Sequence, residues 1–74
     1  MAARLRRIQV VASEYGITIA PPTGGGSHWM AKKAGHRTYP IPAHRGENSE
    51  IGDSYMRGFC RNSGIDPAEF RSKL

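Results

Sequence analysis

Gly24-Gly25-Gly26-Ser27-His28-Trp29 is the stretch of this chain best suited to chemistry. Glycine lets backbone come close to a ligand and leaves N–H groups unshielded for a phosphate. His28 follows where the glycine-rich turn Thr23–Gly26 enters a β-like run, which gives the imidazole a rigid mount. Lys32, Lys33 and Arg37 lie in the same predicted hairpin. A histidine beside open amides and cations suits metal-free RNA cleavage: the imidazole takes a 2′-hydroxyl proton and the cations steady charge on the phosphate. The plainer reading is a turn whose glycines serve only geometry, with His28 an ordinary strand residue.

Other chemistries have less support. His28, His36 and His44 are spaced eight apart, and the nearest acids are Glu47 and Glu50, a poor ligand set for zinc or a two-metal nuclease. No Gly-Lys-Ser/Thr follows the glycines and no serine sits in a nucleophile elbow. No metal or other cofactor is expected. Cys60 is the single cysteine, so it forms no internal disulfide and reads as a small buried apolar residue.

Charge points to the partner. Eleven Lys and Arg against six Asp and Glu give a net charge of +5. Residues 1–45 hold seven bases (Arg4, Arg6, Arg7, Lys32, Lys33, Arg37, Arg45) and one acid, Glu14, whereas residues 46–74 hold four bases and five acids. Such a basic half favours a polyanion: nucleic acid, an acidic membrane face or an acidic protein. Arg4, Arg6 and Arg7 either bind phosphates or solvate the outer face of a helix.

The elements that must position these residues follow from periodicity. The 74 residues read as a single domain, 1–74, too small for a large substrate cavity; a core of this size rarely supplies more than roughly 3–5 kcal/mol. The apolar run after Arg7 is too short for a secretion signal, and no stretch nears the roughly 20 apolar residues of a membrane span. A cytoplasmic protein is the expectation.

Leu5, Ile8, Ala12 and Tyr15 recur at helical spacing over 3–15, with Gly16 as the stop. Residues 17–20, 27–33 and 37–42 read as three short strands joined by glycine turns, an antiparallel meander. Pro40 and Pro42 remove two donors from one side of the third strand, which must therefore be an edge. Trp29 with Ala31 argues for one core face of the second strand and Met30 for the opposite one. After a polar stretch, 43–50, residues Ile51, Tyr55, Met56, Phe59 and Cys60 mark a helix to about Ser63. Gly64 caps it, and Gly52 and Gly58 weaken it by about 1 kcal/mol each relative to Ala. Asp66-Pro67-Ala68-Glu69 is a capping-box opening for a last helical turn. The fold class is α+β: a three-stranded antiparallel sheet with two helices on one face.

Across roughly residues 3–66 the chain resembles the HicA-type mRNA interferase toxins of the HicA/HicB toxin–antitoxin family. The features that carry this come in order: a helix ending in Tyr15-Gly16, a short strand, Gly26-Ser27-His28 opening a strand, Tyr39-Pro40-Ile41-Pro42 followed by His44, and a helix with Met56-Arg57 and Phe59-Cys60 ending in Gly64-Ile65. The resemblance implies a double-stranded-RNA-binding-like α-β-β-β-α fold. It also implies metal-independent cleavage of mRNA, with His28 as the catalytic residue, and a HicB-type antitoxin partner covering the active site. On that basis the backbone at Gly26 and Ser27 is expected to position the scissile phosphate, and Lys32, Lys33 and Arg37 to bind flanking RNA. A non-catalytic double-stranded-RNA-binding module is the alternative, and an interaction protein docking an acidic partner is a third.

Overall fold

A computed structural model of the chain describes residues 2–24 and 26–74, so Gly25 of the glycine turn lies outside the described residues. The elements in order are β1 (Ala3–Arg4), α1 (Leu5–Ser13), β2 (Thr18–Ala20), β3 (His28–Lys32), β4 (Tyr39–Pro42), a 3-10 turn (Gly46–Asn48), β5 (Glu50–Ile51), α2 (Asp53–Ser63) and α3 (Pro67–Ser72). The expected α+β architecture is present, with β2, β3 and β4 forming a three-stranded antiparallel sheet.

Both longer helices stop where glycine permits a left-handed backbone. Gly16 has φ 75° and Gly64 φ 73°. Behind them Ile17 N–H donates to Ala12 C=O and Gly16 N–H to Ser13 C=O; Ile65 and Gly64 do the same to Cys60 and Arg61. These are Schellman closures, which satisfy carbonyls the helix leaves open. At α3, the Asp66 carboxylate accepts from Ala68 N–H at 3.3 Å, with Pro67 at the first helical position.

The edge role expected of β4 follows from its register. Ala43 N–H donates to Ser27 C=O at 2.7 Å. Ladder pairs alternate, so Trp29–Ile41 and Ala31–Tyr39 are also hydrogen-bonded pairs, and the missing donors of Pro40 and Pro42 fall where none is needed. The outward carbonyl of Pro40 accepts from Tyr55 Oη at 3.1 Å.

The same register settles the faces of β3. Ala31 pairs with Ile19 and Trp29 with Ile41. Ile19, Ala31 and Ile41 are buried with Leu5, Ile8, Val11 and Ala12 of α1 and Met56, Phe59 and Cys60 of α2, and Trp29 packs against that cluster. His28, Met30 and Lys32 occupy the opposite face. Phe70 brings α3 into the core, its ring 5.6 Å from Phe59 and 5.9 Å from Tyr15.

Three expectations need correction. Ala3 and Arg4 are not the start of α1. They pair with Ile51 and Glu50 in a second, two-stranded ladder, and helix begins only at Leu5. Tyr15 lies beyond α1, in the closing turn. Gly52 is outside α2, at its N-cap with ψ 158°, and so imposes no cost on the helix interior.

Gly58 is interior, and its lack of a side chain makes room. A Cβ there would stand 2.6 Å from Tyr39 Oη. Burial, and Tyr55 beside it, push the Tyr39 phenol above its ordinary pKa.

Candidate functional site

His28 is exposed at the first position of β3, directly across from Pro42 on the face the helices leave uncovered. Neither ring nitrogen has a hydrogen-bond partner among the described residues. Just before it, Gly26 has φ 111°, a conformation that strains any residue with a side chain. The Gly26 and Ser27 N–H groups donate to no acceptor among the described residues, while the Ser27 carbonyl is tied to Ala43. An exposed imidazole with two open amides beside it can hold an oxyanion and exchange a proton with it.

The cations expected around His28 do not gather there. Lys32 shares its face but lies four positions along the strand, about 13 Å away, with Met30 between them on that face. Lys33 turns the other way: its Nζ donates to Ser63 C=O at 3.0 Å and caps the C-terminal end of α2. Arg37 is exposed in the β3–β4 connection, where its carbonyl accepts from Asn62 Nδ2 at 2.8 Å. Lys32 and Arg37 therefore serve the far end of the sheet.

The histidines do not converge. His36 Nδ1 lies 3.1 Å from Asn62 O at the end of α2, and His44 is exposed in the turn after β4. Among the described residues no group of three His, Cys, Asp or Glu is placed to hold a metal ion.

Two bases missed as a pair in the sequence reading stand nearer His28's end of the sheet. Past Pro42 the chain turns back, with Gly46 N–H donating to Ala43 C=O. Arg45 sits in that turn, its N–H held by Ser49 Oγ at 2.8 Å. Leu5 N–H donates to Ser49 C=O at 2.8 Å, which brings Arg4 alongside. The signal in the sequence was only the His44-Arg45 dipeptide after the proline strand; the β3–β4 register gives it a location.

Elsewhere charge is spent on structure. The Asp53 carboxylate holds Arg57 at 2.8 Å and Arg71 at 2.9 Å, joining α2 to α3. Arg6 donates to Asn48 Oδ1 at 3.0 Å and Arg7 to Lys73 O at 2.7 Å. Burial, with a smaller push from Asp66, raises the Cys60 thiol to about 11, so it is no nucleophile near neutrality. No helix is long and apolar enough to cross a membrane among the described residues.

No family model, no curated protein and no solved structure matches this chain.

Proposed function

We propose that the chain is a metal-independent mRNA endoribonuclease of the HicA type, the toxin of a type II toxin–antitoxin pair acting in the cytoplasm. The observation that supports this reading is His28 standing exposed on the uncovered sheet face, behind two backbone amides with no acceptor among the described residues. In the proposed reaction the neutral imidazole takes the 2′-hydroxyl proton of bound RNA. The 2′-oxygen bonds to the adjacent phosphorus as the bond to the 5′-oxygen breaks. The 5′-oxygen leaves as a hydroxyl, its proton coming from water, a 2′,3′-cyclic phosphate remains, and the imidazolium gives its proton back to solvent. Gly26 and Ser27 donate to a phosphate oxygen. Lys32 and Arg37 hold phosphates farther along the strand, and Lys33 is set aside because its ammonium is engaged with Ser63. A general base contributes about 10²–10⁴-fold, so turnover is slow, and depletion of mRNA by a toxin tolerates slow turnover. A HicB-type antitoxin would block the enzyme by covering the open face.

One observation favours a second reading, a non-catalytic double-stranded-RNA-binding module: no described side chain orients the His28 ring. Incubating long single-stranded RNA with purified protein in EDTA, beside folded His28→Ala, separates the two. Cleavage by the wild type alone supports the enzyme. Salt-sensitive binding without cleavage supports the module.

A further inference from the structure

Two adjoining grooves, of about 460 Å³ and 190 Å³, share Arg45 and Glu50 as walls. The smaller begins at Pro42, the residue facing His28, and includes His44 and Ser49; the larger continues to Arg4 and Asn48. Together they form one polar track from His28's end of the sheet to the start of α1.

Its chemistry suits a phosphate backbone. Arg4 and Arg45 make no side-chain hydrogen bond or ion pair among the described residues, although Glu50 is the ladder partner of Arg4. Unengaged guanidinium forks match phosphate oxygens two at a time. Arg6 occupies the Asn48 amide oxygen, so the Asn48 NH₂ is the group left to donate. Ser49 anchors the wall: its Oγ accepts from Arg45 N–H and its C=O from Leu5 N–H.

We propose that this track, through Arg45 and Arg4, binds the RNA backbone on one side of the phosphate that His28 attends. The proposal rests on the ribonuclease reading and supplies cations at the end of the sheet that Lys32 and Lys33 leave bare. Glu50 opposes the polyanion and tempers its affinity.

The test uses a fully 2′-O-methylated single-stranded RNA, which resists cleavage by 2′-hydroxyl attack, and measures Kd against salt. Arg4→Gln and Arg45→Gln are each expected to weaken binding about fivefold and to lower the slope of log K on log salt by about 0.7, the increment for one contact to a single strand. Glu50→Gln is expected to tighten binding. Arg61→Gln, an equal loss of charge on exposed α2 surface, is expected to leave the slope unchanged. Circular dichroism first establishes that each variant is folded.

Equal slopes for wild type, Arg4→Gln and Arg45→Gln overturn the track. So does a pattern in which these variants lose binding to poly-glutamate but not to RNA, which assigns the groove to an acidic protein. Parallel assays on unmodified RNA separate the two claims. Cleavage with no effect of the arginines removes the track and leaves the enzyme; arginine-dependent binding without cleavage leaves the track and removes the enzyme.

Discussion

His28 and Pro42 face one another across β3 and β4 at a non-hydrogen-bonded position of the ladder, where backbones approach to about 4.5 Å between Cα atoms. Pro42, with no N–H to donate, holds the facing position in the register, and from it the chain leads on to His44 and Arg45. One register thus fixes the histidine on the open face and decides which cations are near it.

That register divides two adjacent lysines. Lys33→Ala removes a bond to an α2 carbonyl and is expected to cost about 1 kcal/mol of stability while leaving RNA affinity within twofold. Lys32→Ala is expected to do the reverse. Urea unfolding and RNA titration on the same two variants check both halves.

Gly58 and Tyr39 should couple. Ala is the better helix former by about 1 kcal/mol, yet a Cβ at Gly58 would stand 2.6 Å from Tyr39 Oη. The ring is flanked by Tyr55 and Phe59 at 5.7 Å and 6.1 Å, which limits its retreat. Gly58→Ala is expected to destabilise by about 1–3 kcal/mol. In the Tyr39→Phe background the same change should stabilise. A double-mutant cycle in urea gives the answer, and equal effects in both backgrounds would reject the steric account.

Asp53 gives a pH signature. Burial alone would raise its carboxyl, but the hydrogen bond from Arg57 and the charges of Arg71 and Arg57 outweigh it and hold the pKa below the usual value. A depressed folded-state pKa stabilises above the unfolded value, about 3.9, and that contribution is lost as pH falls through the lower folded value. Asp53→Asn should therefore lower Tm at pH 7 and make progressively less difference below pH 4. A gap in Tm that is constant from pH 7 to pH 2.5 would contradict this.

The Cys60 thiol, buried and raised to about 11, should resist a disulfide reagent at pH 8 in the native protein and react at once in denaturant. Rapid native labelling would show that the core opens at α2.

What could be read from the sequence was local in origin. Gly16 and Gly64 announced their caps because each closure needs a left-handed residue, and Pro40 with Pro42 announced an edge because a central strand cannot lose two donors. The face of β3 could not be read: Trp29 and Ala31 argued one way and Met30 the other, and only Ile19 and Ile41, brought in by neighbouring strands, decide it. Ala3–Arg4 passed for helix because its partner, Glu50–Ile51, is distant in sequence and only two residues long. At the candidate site, the position of His28 was legible, but the destinations of Lys33 and Arg45 were not, since each depends on a contact outside its own hairpin.

The most direct test of the central claim is the chemistry of the cut ends. A short RNA incubated with the protein in EDTA should give fragments ending in 2′,3′-cyclic phosphate, paired with 5′-hydroxyl ends, by mass spectrometry. A single 2′-deoxy substitution at a cut site should abolish that cut alone, and folded His28→Ala should give no fragments. Fragments carrying 5′-phosphate ends, cutting at the 2′-deoxy position, or undiminished cutting by His28→Ala would contradict a reaction in which His28 takes the 2′-hydroxyl proton.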